Sequence, residues 1–269
     1  LPSPGVRAVR TQKRGEKERL WIATGKGAVV KEGDLRSDII GVDEGLKTQN
    51  IWLFCGDSAG RQWINDSAGI NAVAFEKSSI PKGFEDTTRT RVLGEDAWVS
   101  RRDWTRSRSC LTVPLDPGGQ AALLDDAVCF AGQGEITCWA DGGWIKVDAS
   151  QGLPETEVQS LAVDHEGRLW VGTRDRGIYR TKVTFADWLR RQSLRVRNKA
   201  GVSKSKLFEL AFDESKGLPT NVIQAMTSIG RDMWVGTDRA LVRIDTGPMS
   251  IVSMFGIDEG MPHESAFST

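Results

Sequence analysis

Asparagine, aspartate and arginine recur in short loops of this sequence, close to segments that contain tryptophan. Such polar side chains can hydrogen-bond to neighbouring hydroxyl groups of a sugar, and tryptophan rings can stack on its apolar faces. The densest cluster is Arg174-Asp175-Arg176, which could clamp a carboxylate such as that of a uronic acid. A surface ion-pair network is the alternative, and Asn and Asp are also common turn residues. The chemistry indicated is ligand binding.

Sequence motifs of common catalytic sites are missing: there is no GxSxG, HExxH or Walker loop. His165 is interpreted as a turn residue. His263 follows the acidic pair Asp258-Glu259 and is the better candidate for a functional histidine. The chain is therefore predicted to be no enzyme and to use no cofactor, with a lyase as an alternative.

The four cysteines show no CxxC spacing, and the chain has only two histidines. Zinc sites of the Cys/His type are therefore not expected, and no metal site is predicted. Cys129 and Cys138 flank the segment FAGQGEIT and could face each other across a hairpin. Two separate buried thiols are the favoured interpretation.

Many of these asparagine, aspartate and arginine residues lie in or beside a repeated sequence motif, which we call the phrase. It opens with Gly-Leu-Pro at 152–154, has Val158 five residues after the leucine, continues through a D-x-x-G turn at 164–167, and reaches LWVGT at 169–173. Similar phrases open near 1, 46 and 218, and weaker ones near 84, 119 and 261. The long step between 153 and 218 predicts an insertion within 181–212, where FADWLRRQSL has helical spacing.

Each phrase contains short apolar or alternating segments separated by tight turns, as expected for strands. Repeated antiparallel four-stranded units of this length are typical of a β-propeller. We therefore predict an all-β chain, residues 1–269, with about six blades and the start of a seventh. The ring is predicted to be incomplete.

The phrase GLP-x-x-x-V … D-x-x-G-x-LWVGT-x-x-G-I-x-R resembles the two-component-regulator propeller repeat. This resemblance implies the extracytoplasmic, periplasmic sensor region of a bacterial membrane signalling protein, which binds a carbohydrate-like ligand. It also implies an output domain outside this chain, such as a histidine kinase or diguanylate cyclase, and dimerisation through the parent protein. The alternatives are a protein-interaction scaffold without a small ligand and a propeller polysaccharide lyase.

In such a blade, the loop entering the first strand and the turn between the second and third strands lie on one face. This face is the predicted ligand surface. Its candidate ligand-binding residues are Asn50, Asn65, Asp66, Arg174, Asp175, Asn221, Asp238, Arg239 and His263, accompanied by Lys47 and Gln49.

Charge gives little further guidance, since 36 Lys+Arg balance 36 Asp+Glu. Nucleic acid is not a predicted partner, and membrane attachment is expected only through segments outside this chain. The segment 180–206 is strongly basic and 101–108 is a smaller basic patch. Each is interpreted as a solvated surface, with a polyanion-binding or partner-binding surface as the alternative.

Overall fold

The computed structural model describes residues 4–14, 17–32, 38–42, 46, 48–57, 61–66, 69–74, 91–92, 107–115 and 126–261. These residues form five four-stranded sheets, and in each sheet the strands are neighbours in chain order. The chain divides into two compact parts, Leu1–Val128 and Cys129–Thr269, which are described separately.

The sheets that begin in the first part alternate short strands with tight turns. The first sheet comprises β1 (Val6–Arg14), β2 (Lys17–Thr24), β3 (Gly27–Glu32) and β4 (Asp38–Ile40). The second comprises β5 (Ile51–Gly56), β6 (Gln62–Asp66), β7 (Gly69–Ala74) and β8 (Arg91–Val92). The third comprises β9 (Cys110–Val113), β10 (Ala127–Ala131), β11 (Ile136–Ala140) and β12 (Gly143–Val147).

The last two sheets lie wholly in the second part. The fourth comprises β13 (Val158–Val163), β14 (Leu169–Thr173), β15 (Ile178–Thr181) and β16 (Phe208–Phe212). The fifth comprises β17 (Ile223–Ile229), β18 (Asp232–Thr237), β19 (Leu241–Asp245) and β20 (Ser250–Phe255).

The predicted count of six blades and the start of a seventh is wrong for the described residues. β8, which follows the start predicted near 84, is the fourth strand of the second sheet. β9, which precedes the start predicted near 119, is the first strand of the third sheet. The unit starts predicted near 84 and 119 therefore do not coincide with the starts of sheets. The incomplete ring stays a prediction.

Helix α1 (Phe185–Arg197) and a loop separate β15 from β16, within the range 181–212 for which an insertion was predicted. The helix buries Phe185, Trp188 and Leu189 and packs against β11 and β12. Gln151 Nε2 donates to the carbonyl of Ser203 at 2.7 Å and fixes the returning loop. Since β12 is at the edge of its sheet, the helix covers an edge that would otherwise be open to pairing.

Two tryptophans of the repeat, Trp170 and Trp21, pack between neighbouring sheets. Trp170 has no exposed surface and shares a core with Ile223 and Val235 of the following sheet. A Cβ atom on Gly172 would lie 2.5 Å from Cγ2 of Ile223. The glycine of LWVGT therefore permits the close approach of two sheets. In the first part, Trp21 occupies the same kind of position in a core with Phe54.

All four cysteines are paired. Cys129 is bonded to Cys138 across the β10–β11 hairpin, so the interpretation as separate thiols is wrong and the hairpin alternative is correct. Cys55 of β5 is bonded to Cys110 of β9, a pairing that joins the first strands of two sheets. No sequence spacing pointed to this second bond, because the two cysteines are 55 residues apart.

Candidate functional site

The loops that open the repeats meet the turns between the second and third strands, as predicted. In the second part, the amide of Gly177 donates to the carbonyl of Asn221 at 3.0 Å, and the amide of Arg174 donates to the carbonyl of Glu157 at 3.0 Å. In the first part, the amide of Gly27 donates to the carbonyl of Gln49 at 2.6 Å. In each part, we call the surface formed by its own loops and turns the loop face of that part.

Arg174 and Asp175 are exposed on the loop face and are anchored to the same loop. Nη1 of Arg174 lies 3.3 Å from Oε2 of Glu157, and Oδ1 of Asp175 accepts a hydrogen bond of 2.5 Å from Thr156. Nε of Arg176 is 3.9 Å from Oδ1 of Asp175. The cluster is therefore an ion-pair network that still presents two guanidinium groups to solvent.

Asn221, Asp238 and Arg239 also lie in loop-face segments of the second part. Oδ1 of Asn221 accepts from the amide of Glu214 at 2.9 Å. Nη1 of Arg239 donates to the carbonyl of Pro219 at 3.2 Å. Oδ1 of the half-buried Asp238 has no hydrogen-bond partner in the described part of the chain.

Asn65 and Asp66 are almost completely buried, with 2% and 1% of their surface exposed. Oδ1 of Asn65 accepts from the amide of Ser107 at 3.1 Å, and Oδ2 of Asp66 accepts from the amide of Thr48 at 3.4 Å. Both side chains hold loops in place from inside the protein. Asn50 remains half-exposed beside them, whereas Lys47 and His263 lie outside the described residues.

Sequence reasoning missed a position on the loop face that four sheets have in common. The pairing of first and second strands skips one residue between Val6 and Ala8, Ile51 and Leu53, Val158 and Ser160, and Ile223 and Ala225. The skipped residues are Arg7, Trp52, Gln159 and Gln224. A β-bulge of this kind leaves one residue outside the ladder and redirects its side chain. The available signal was that each directly follows a Val or Ile that lies five residues after the leucine at the start of its phrase.

Helix α1 of the basic insertion packs along β12, the outer strand of the third sheet, whereas Lys206 of the returning loop lies against Gly152. Arg191 and Arg195 are exposed on the outer side of α1, and Arg197 pairs with Asp141. Its polyanion-binding role stays a hypothesis. Most of the second basic patch, 101–106, lies outside the described residues.

One shallow cavity of about 380 Å³ lies beside the third sheet. Lys146 contributes to its lining and pairs with Glu135 at 2.8 Å and with Asp148 at 3.3 Å. Burial raises the pKa of Asp148, but hydrogen bonds from Ser150 and the charge of Lys146 outweigh it, so the pKa lies below the usual 3.8. Within the described ranges, no group of three His, Cys, Asp or Glu residues could hold a metal ion.

Residues 152–175 match the family model of the two component regulator propeller. This segment contains the phrase that opens at Gly152, so the resemblance proposed from sequence is confirmed there. No curated protein matches the sequence.

Solved structures match over nearly the whole chain. The extracellular domain of BT3049 from B. thetaiotaomicron, described as a hybrid two component system, has a TM-score of 0.60 at 19% identity, over 96% of this chain and 29% of that one. The extracellular domain of BT4673, described as a one component system of the same organism, has a TM-score of 0.54 at 14% identity, over 84% and 26%. Virginiamycin B lyase from Staphylococcus aureus has a TM-score of 0.56 at 13% identity, over 96% and 71%.

The chain therefore has the β-propeller fold, built from four-stranded antiparallel sheets. It spans between about a quarter and about 30% of the length of the two extracellular domains that it matches. The described part of the chain has no helix that is long and apolar enough to cross a membrane.

Proposed function

We propose that this chain is the ligand-sensing propeller region of a bacterial membrane signalling protein, with its loop face as the binding surface. The observation that carries the proposal is the contact between loop and turn at Arg174 and Glu157. There the amide of Arg174 donates to the carbonyl of Glu157, and the side chains of the same two residues form an ion pair. A ligand that displaces Arg174 from Glu157 would disturb the loop that leads into the buried strand β13. A change caused by binding at the surface could therefore be transmitted through this loop to the fourth sheet.

The proposed ligand is a carbohydrate. Exposed or half-exposed Arg, Asp, Asn and Gln side chains of the loop face match the hydroxyl groups of a saccharide. The proposed location is outside the cytoplasm, in the periplasm of the cell. The two disulfides support this location, because disulfides persist in oxidising compartments and are rare in the cytosol. The output domain is proposed to lie outside this chain.

A thermal-unfolding screen against neutral and acidic oligosaccharides tests the proposal. A ligand that binds only the folded chain raises its unfolding temperature in a saturable manner. We expect one saccharide class to do so, and we expect Arg174→Ala to reduce the effect. Arg168→Ala is the matched control, because Arg168 lies in the turn at the other end of β14 and pairs with Glu166. A well-folded chain that responds to no saccharide would favour the interaction scaffold instead.

A further inference from the structure

The four bulges place large polar or aromatic side chains at the start of the first strands of four sheets. Arg7, Trp52, Gln159 and Gln224 each lie one residue inside the first strand of their sheet, where the loop face begins. None of them is fully buried: Arg7 is exposed and the other three are half-buried. A bulge disrupts the ladder and is commonly found next to functional sites, where it redirects a side chain. Its recurrence at equivalent places indicates a function for the redirected residues.

Two of these residues are in direct contact within the first part of the chain. The guanidinium carbon of Arg7 lies 3.9 Å from the centroid of the Trp52 ring, within the range of a cation–π interaction. Nη1 of Arg7 donates to Oδ1 of Asn50 and also lies 3.4 Å from the carbonyl of Ile51. An exposed arginine is ordinarily mobile, but this one is held in a single orientation by a ring, an amide and a carbonyl.

The contacts of Arg7 use only one of its three guanidinium nitrogens. Within the described part of the chain, Nε and Nη2 have no hydrogen-bond partner. A Cβ atom on Gly25 would lie 3.5 Å from Nη2, so a large side chain in that turn would crowd this edge. Nε and Nη2 form the planar edge that pairs with two oxygens of a carboxylate.

The charge of the surroundings favours an anion. Lys26 is exposed and belongs to the same turn as Gly25. The carboxylate of Asp66 is turned inward to the amide of Thr48, with 1% of the residue exposed. The described charged groups that face solvent here are therefore Arg7 and Lys26, both cationic.

We propose that Arg7, fixed on Trp52 by Asn50, recognises a carboxylate, and that the ligand of this surface is an acidic saccharide. This inference rests on the proposed function and specifies its ligand. The guanidinium is already oriented, so little side-chain entropy is lost when the carboxylate binds. A sugar ring that extends from the carboxylate would meet the polar loop residues around Asn50.

Calorimetric titration of the 269-residue chain with tetragalacturonate and with its methyl ester tests this assignment, because the ester keeps the sugar and removes the charge. We expect the acid to bind at least about tenfold more tightly than the ester, as a charge-assisted pair implies. Arg7→Gln should abolish the difference. Arg7→Lys should lose most of it, because lysine keeps the charge without the planar edge. Arg10→Gln is the control, since Arg10 is an exposed arginine of the same strand outside the bulge.

Each contrary result has a separate meaning. If Arg7→Gln lowers the unfolding temperature but keeps the wild-type preference for the acid, Arg7 is only a link between two sheets and the inference fails. Equal affinity of the wild type for acid and ester also overturns it. Binding of a neutral saccharide that Arg7→Gln leaves unchanged overturns the inference and keeps the proposed function. Binding of no saccharide by the folded chain overturns both.

Discussion

The carboxylate of Asp164 accepts a hydrogen bond of 2.7 Å from the indole nitrogen of Trp170, and both residues are buried. The other oxygen of Asp164 accepts from the amides of Glu166 and Arg168, each at 2.9 Å. Asp57 and Trp63 repeat the relationship in the second sheet at 2.9 Å. The aspartate of the D-x-x-G turn thus links the turn to the tryptophan that packs between sheets.

Replacing Asp164 with alanine should destabilise the chain by about 3 kcal/mol, because one buried and two partly buried donors lose their acceptor. Thermal unfolding would show this as a fall of several degrees in the midpoint for a chain of this size. Asp187→Ala is the control, since Asp187 is exposed on α1 and forms a surface pair with Arg190 at 3.3 Å. Equal midpoints for the two variants would contradict this role of Asp164.

The lowered pKa of Asp148 predicts a pH dependence of stability. A carboxyl group whose pKa is lower in the folded than in the unfolded chain stabilises the fold when ionised. Its contribution is complete above the usual 3.8 and disappears as the pH falls through the lower folded value. Asp148→Asn should therefore reduce the unfolding temperature at pH 7 and converge with wild type in strong acid. An equal difference at both pH values would argue against the ionised group as the cause.

Gly172 permits the close approach of the fourth and fifth sheets. Gly172→Ala would place a Cβ atom 2.5 Å from Ile223 Cγ2, so we expect destabilisation of about 1–3 kcal/mol from overpacking. Gly25→Ala is the matched change, with its nearest neighbour at an ordinary 3.5 Å and no positive φ. Urea unfolding measures the stability of both variants. An unaltered midpoint for Gly172→Ala would mean that the sheets are not packed as described.

The two disulfides should contribute unequally to stability. In the chain-entropy account, a closed loop of 55 residues stabilises by about 4 kcal/mol and one of 9 residues by about 2.6 kcal/mol. Replacing both Cys55 and Cys110 with alanine should therefore lower the unfolding midpoint more than replacing Cys129 and Cys138. The reverse order would show that local strand pairing, rather than loop closure, dominates.

Sequence reasoning found the fold through the repeat, because Trp170 and Gly172 recur at fixed spacing and determine how sheets pack. It placed the sheet boundaries wrongly where the phrase is weakest, between β7 and β10. The bulge residues could not be read from a period-two pattern, because a bulge adds one residue without changing the apolar character of its neighbours. Asn65 and Asp66 resembled exposed turn residues in type, but tertiary contacts to Ser107 and Thr48 bury them.

Hydrogen–deuterium exchange of the chain, with and without a saturating saccharide found in the unfolding screen, would locate the binding surface. The loop-face account predicts slower exchange at the amides of 155–157, 174–177 and 220–222, among them the Gly177 amide that donates to Asn221. It predicts little change in the 164–168 turn at the other end of the strands. Protection confined to that turn or to α1, with the loop face unchanged, would contradict the account.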